Sequence, residues 1–187
     1  MNTKDKIVLG AVQHFVEQSV AETTTREIAV RAGVAEGSIY RYFPSKDELA
    51  WQIFCDYHRR LANNLSESVA DKVTLLDRVN SLVACFLKMA DEDWLMFRYY
   101  LTAQHMYMHK IDHESATPYQ VIISVISQAN DQEVQIENKE LTAAMAMGVV
   151  HQIALNKLYG RIKGDLYIHL NTVAQTVYQI VTRTNRS

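Results

Sequence analysis

The chain has 187 residues, 48% of them hydrophobic, with 6 Gly, 2 Pro, 2 Cys and a formal net charge of −2. Few helix breakers and no Asn-Gly or Asp-Gly hairpin signal make an all-α protein the expectation. Residues 1–46 carry six Lys and Arg against five Asp and Glu, and the remainder thirteen against sixteen, which excludes nucleic-acid binding by a general basic field and leaves only placed cations.

The first predicted helix covers residues 4–18, with Ile7, Val8, Ala11, Val12, Phe15 and Val16 as its apolar stripe. Asp5 interrupts any signal-peptide pattern at the start. Thr24 and Glu27 have capping-box spacing and open a second helix at Thr25, whose inward face is Ile28, Ala29 and Ala32. Gly33 stands where a left-handed residue ends such a helix. A short third helix over residues 36–42 follows, with Ile39 and Phe43 inward. This is helix-turn-helix spacing. The outward residues Ser38, Tyr40, Arg41 and Tyr42 place hydroxyls and a guanidinium where a plain structural hairpin needs none.

Pro44 stops the third helix, and Ser45 with Glu48 has the spacing of a second capping box. Lys46 falls in the first turn of the fourth helix, where a cation opposes the macrodipole; an external phosphate at that helix end would account for it. The fourth helix reaches about residue 66, with Ala50, Ile53, Phe54, Tyr57, Leu61 and Leu65 at helical spacing. It is the natural lever between head and body.

In the body, Thr74 and Asp77 open a helix with the stripe Leu75, Val79, Leu82, Val83 and Phe86. The next helix, residues 94–110, crowds Trp94, Met96, Phe97, Tyr100, His105, Met106, Tyr107 and Met108 onto every face. A Met- and aromatic-lined ligand cavity and ordinary helix packing both fit that composition. His105, His109 and His113 recur every four residues beside Asp112 and Glu114, but the third falls past the helical register, and metal is not expected. Thr117 and Pro118 open a helix containing Tyr119, Ile122, Ile123 and Ile126, a polar loop covers residues 130–138, and two helices follow at 139–159 and 165–184. The first carries Leu141, Ala144, Met145, Gly148, Val149 and Ile153 as its stripe; the second carries Leu166, Leu170, Val173, Val177, Ile180 and Val181. Met147, Val150, Ala174 and Tyr178 lie off those stripes, so a subunit interface is expected beside a core.

Thr24-Thr25-Arg26, Ile28-Ala29, Ala32-Gly33-Val34, Gly37-Ser38-Ile39-Tyr40, Tyr42-Phe43 and Ser45-Lys46 together resemble the DNA-binding domain of TetR/AcrR-type transcriptional regulators, over about residues 4–54. The resemblance implies a helix-turn-helix domain over 1–46 and a helical ligand-binding and dimerisation domain over 47–187, with a homodimer formed through the last two helices. It favours a pocket among Trp94, Phe97, Tyr100, His105, Met106, Tyr119 and Met145. Ser19 departs from the family's usual Gly between helices one and two, and Ala35 from its usual Ser or Thr N-cap.

The expected function is therefore a ligand-responsive regulator, a repressor on a palindromic duplex operator, with no cofactor and no catalysis. Thr25, Tyr40, Tyr42 and Lys46 are expected on phosphates. Glu36, Gly37 and Ser38 enter the major groove, Glu36 accepting from a cytosine amino group; Arg26 reaches a guanine, and Arg41 contacts either backbone or base. A regulator of this fold answering to a protein partner is the alternative, and an all-α enzyme a remote one: no phosphate loop, nucleophile elbow or partner set for Cys55 or Cys85 is present in the sequence. The most apolar run, residues 143–150, is far short of the ~20 residues a membrane helix needs, so a soluble, cytoplasmic protein with thiols packed as small hydrophobes is expected.

Overall fold

The computed structural model describes residues 1–111, 117–132 and 136–183, and every regular element among them is helical. Local side chains set most of the helix starts. Asn2 and Asp5 form a capping box that opens α1, Thr3–Gln18, and Thr24 and Glu27 form the expected one before α2, Thr25–Ala32. Gly33 ends α2 at φ 65°, the left-handed conformation its lack of Cβ makes cheap. The third helix is shorter than the sequence suggests: α3 is only Gly37–Tyr40, with no side-chain cap at its start. Ala35 supplies none, and Glu36, the next candidate, uses its carboxylate elsewhere.

Ser45 Oγ accepts from Glu48 N at 3.0 Å and opens α4, Lys46–Val69. The chain then forms α5, Leu75–Glu92, and α6, Trp94–Tyr107, which tightens into a 3₁₀ turn over Met108–Lys110 instead of staying α-helical to residue 110. Next come α7, Pro118–Gln132, extending into the expected loop, and α8, Lys139–Leu158. The last helix, α9, is Leu170–Arg183, after a 3₁₀ turn over Tyr167–His169. It starts five residues later than the sequence suggests.

These helices fall into two compact units. One comprises Met1–His58 and Leu95–Ile111. Its core joins Ile7, Ala11, Val12, Phe15, Ile28, Ile39, Phe43, Leu49 and Ile53 to the rings of Phe54, Phe97, Tyr99 and Tyr100, all buried. Phe54 lies 5.3 Å from both Tyr100 and Tyr107, and Phe15 lies 5.6 Å from Tyr99. Tyr99 donates its hydroxyl to the Ala50 carbonyl at 2.6 Å, and His58 Nδ1 meets the Tyr100 hydroxyl at 2.9 Å. Such tips let large rings bury their polar ends at little cost.

The other unit comprises Arg59–Trp94 and Asp112–Ser187. Within it α9 packs along α5 and against α8, and α7 packs on α8. The α9 stripe is partly as expected: Val173, Val177 and Val181 are buried, but so is Ala174, while Leu170 and Ile180 are half-buried. The α8 stripe is not. Thr142, Ala143, Ala146 and Ala154 face inward, whereas Leu141, Ala144, Met145 and Gly148 are exposed. Helix α8 is apolar on all sides, so periodicity alone does not say which side meets the core. Asp91 joins three segments of this unit: Oδ1 accepts from Lys157 Nζ at 2.7 Å and Leu166 N at 2.9 Å, and Oδ2 accepts from Tyr167 N at 2.8 Å.

Candidate nucleic-acid interface

The head is α1, α2 and α3, and small residues bring it together. A Cβ on Gly10 would sit 3.3 Å from both the Ala32 nitrogen and the Ile28 carbonyl oxygen, so α1 and α2 touch backbone to backbone there. Buried Ile28, Ala29 and Ala32 of α2 and buried Ile39 of α3 fix the two helices of the motif against the shared core. An exposed ion pair, Arg31 to Glu17 at 2.7 Å, spans α2 and α1 and adds little to stability.

The turn between α1 and α2 holds the position where Ser19 departs from the family pattern. Ser19 takes φ 86° and ψ 160°, a region nearly reserved for glycine. The turn thus keeps a glycine-like course, and the serine bears the strain. Its carbonyl accepts the Thr23 hydroxyl at 2.6 Å, and its own Oγ accepts from Glu22 N at 3.3 Å.

Packing leaves one surface of the motif outward. Arg26, Glu36, Gly37, Tyr40, Arg41 and Tyr42 are exposed, while Thr25, Ser38 and Lys46 are half-buried. Three of the residues expected to meet DNA are drawn together: Thr25 Oγ1 lies 2.6 Å from Glu36 Oε1 and 3.3 Å from Tyr40 Oη. A fourth, Lys46, donates to the Thr23 carbonyl at 2.7 Å and to the Ala21 carbonyl at 3.1 Å. That explains a cation in the first turn of α4: it answers the carbonyls of the preceding turn. Sequence reasoning missed these acceptors, since backbone oxygens more than twenty residues away leave no side-chain signature.

The expected ligand residues are not gathered in one unit. Phe97 and Tyr100 are buried side by side, with ring centroids 6.5 Å apart, in the first unit, where His105 and Met106 are exposed. Trp94, Tyr119 and Met145 belong to the second. Tyr119 is exposed there, Lys157 Nζ lies 4.6 Å above the Trp94 ring, and Met145 lies on the outward strip of α8. An open cavity of about 510 Å³ in the second unit is lined by Asn64, Ser68, Ser81, Cys85, Lys88 and Tyr167, among others, and by none of the expected set. His113 lies outside the described residues; His105 is in α6 and His109 in the turn after it, so the two do not share a continuous α-helical register. Neither Cys55 nor Cys85 is in a disulfide, and burial pushes the Cys85 thiol up. No described helix is long and apolar enough to cross a membrane.

Comparison with known proteins bears on the head first. Residues 7–53 match the sequence model of the bacterial regulatory proteins of the tetR family. The fatty acid metabolism regulator protein of Bacillus subtilis is 25% identical over 79 residues, which are 42% of this chain and 41% of that protein. The chain thus spans about two fifths of the length of the first curated relatives it matches. Along its whole length the fold resembles the fatty acid degradation regulator FadR from Bacillus halodurans, with TM-score 0.77, 17% identity, and coverage of 100% of this chain and 98% of that one. It also resembles FadR from Bacillus subtilis in complex with stearoyl-CoA, with TM-score 0.75, 17% identity, and coverage of 92% and 96%. The head thus matches the tetR family of bacterial regulatory proteins, and the chain as a whole has the fold of these solved regulators.

Proposed function

We propose that this chain is a homodimeric, sequence-specific DNA-binding transcriptional regulator, a repressor released from a palindromic operator by a small ligand. The observation that carries the proposal is the head: a family-matched helix-turn-helix whose exposed surface gathers Arg26, Glu36, Gly37, Tyr40, Arg41 and Tyr42. With a head charge near zero, affinity comes from these few placed groups, and two heads on one duplex supply the rest. Half-sites then lie about one helical turn, ~34–36 Å, or a multiple apart.

The second copy docks on α8. Leu141 is 53% exposed and Met145 37%, and Gly148 lies on the same strip with nothing within 4 Å of a built Cβ. Glycine costs an exposed helix interior about 1 kcal/mol relative to alanine. Close approach of a second helix gives that residue a purpose.

The protein acts by binding alone. For the effector, the stearoyl-CoA complex of Bacillus subtilis FadR suggests a ligand with a long apolar chain. Ligand and operator are then antagonists with one coupling free energy, typically 1–3 kcal/mol, so each weakens the other by the same factor. Footprinting upstream of the gene and its neighbours should find a protected palindrome. Fatty acyl-CoA should release it, and calorimetry on free and operator-bound protein should return reciprocal factors. A ligand bound equally by both forms overturns the release mechanism, and the absence of any protected site overturns the proposal.

A further inference from the structure

The three side chains gathered on the head have a definite proton order. An ionised carboxylate only accepts, so at 2.6 Å the Thr25 hydroxyl donates to Glu36 Oε1. That uses the only proton on the hydroxyl. The contact at 3.3 Å between Thr25 Oγ1 and Tyr40 Oη must then run the other way, with the tyrosine donating. Tyr40 donates to Thr25, and Thr25 donates to Glu36. Both hydroxyl protons are spent inside the network, and what it offers outward is the remaining carboxylate oxygen.

A phosphate oxygen is the wrong partner for that group, since both are anionic acceptors. A base amino group is the right one. Two bases present an amino group in the major groove, cytosine and adenine. Adenine places its N7 acceptor beside the amino group, and a carboxylate meets repulsion there, whereas cytosine has only a carbon-bound hydrogen next to its amino group.

Resting on the proposal that the head binds DNA, the geometry points to Glu36 as a specificity-determining residue that selects a C·G pair in each half-site, with Thr25 and Tyr40 as positioning residues that orient it. Thr25 and Tyr40 thereby move from phosphate contact to support. Glu36 also lowers affinity for unselected DNA by repelling the backbone, so discrimination comes at the expense of general binding.

The test uses the full chain and duplexes selected from a random pool at fixed salt, followed by titration of the chosen site and of each single-base change. The wild type should enrich a cytosine at one position of each half-site and bind the substituted duplexes about 5–100-fold more weakly. Glu36→Gln should lose most of that discrimination while binding unselected DNA more tightly. Thr25→Val should keep the cytosine preference at a reduced ratio, because the carboxylate survives without its orienting hydroxyl. Circular dichroism of both variants should match the wild type, since Glu36 is exposed and Thr25 half-buried. A preference unchanged in Glu36→Gln overturns the inference and leaves DNA binding standing. A wild type that enriches no sequence overturns both.

Discussion

The Lys46 ammonium donates to the Thr23 carbonyl oxygen at 2.7 Å, and to that of Ala21 at 3.1 Å, so the first residue of α4 clamps the turn between α1 and α2. Two of its three N–H groups are used within the head, and one is left for a phosphate. Lys46→Met should therefore cost about 1–2 kcal/mol of stability in urea. It should also weaken every DNA site alike and make the salt dependence shallower by about one unit of slope. Unchanged affinity at every salt concentration would remove Lys46 from the interface.

Ser19 holds a backbone conformation that only glycine adopts freely, at φ 86° and ψ 160°. Ser19→Gly should raise stability by about 1 kcal/mol, after losing the weak 3.3 Å contact from Glu22 N to Ser19 Oγ. A lower thermal midpoint in the glycine variant would mean that the side-chain contact outweighs the strain.

Burial alone would push the Asp91 carboxyl up, but the Lys157 ammonium and the amides of Leu166 and Tyr167 outweigh it, and the group sits below its ordinary value. Since the folded carboxyl titrates lower than the unfolded one, its contribution is complete above the unfolded pKa and is lost as pH falls through the folded one. Asp91→Asn should cost about 2–3 kcal/mol near neutral pH, because it strands Lys157 and turns one acceptor into a donor. Denaturant titrations should show that deficit shrinking below about pH 4. A deficit independent of pH would place the loss in packing, not charge.

On α8, Gly148 offers a test of the proposed dimer. Nothing lies within 4 Å of a built Cβ, so Gly148→Arg should fold with an unaltered helical spectrum. It should nonetheless sediment as a monomer and bind operator at least tenfold more weakly, each half-site now being met alone. Gly148→Arg remaining dimeric would move the interface off this strip.

The head was legible because its signals are local. Thr24 and Glu27 lie within one turn of each other, and Gly33 needs no distant partner to end α2. Elsewhere the deciding partner is remote. The sequence puts the start of α9 five residues early because Asp91, at the far end of α5, takes the amides of Leu166 and Tyr167. The buried face of α8 differs from the expected one because alanines fit the core while Leu141 and Met145 lie outside it, and on a helix apolar all round hydrophobicity does not say which side is buried. Within the aromatic segment of α6, Phe97, Tyr99 and Tyr100 are buried while His105 and Met106 are exposed, a division set by how large rigid rings pack against α4. Among the residues expected on DNA, identity alone does not reveal that Thr25 meets Glu36 and Tyr40, since those partners lie eleven and fifteen positions away.

The ring of Tyr99, set against Phe15 and tied to the Ala50 carbonyl, also fixes an order of events during synthesis. The three head helices leave the ribosome first, yet the unit they belong to is completed only by residues 95–111. Residues 59–94 must be made and looped out before that seal can close, at an entropic cost that grows slowly with the length of the loop. A chain interrupted before residue 95 would carry all three head helices and neither Tyr99 nor Tyr100, whose rings are buried in the same unit. Such a chain would leave the Phe15 ring and the Ala50 carbonyl without the partner that Tyr99 supplies.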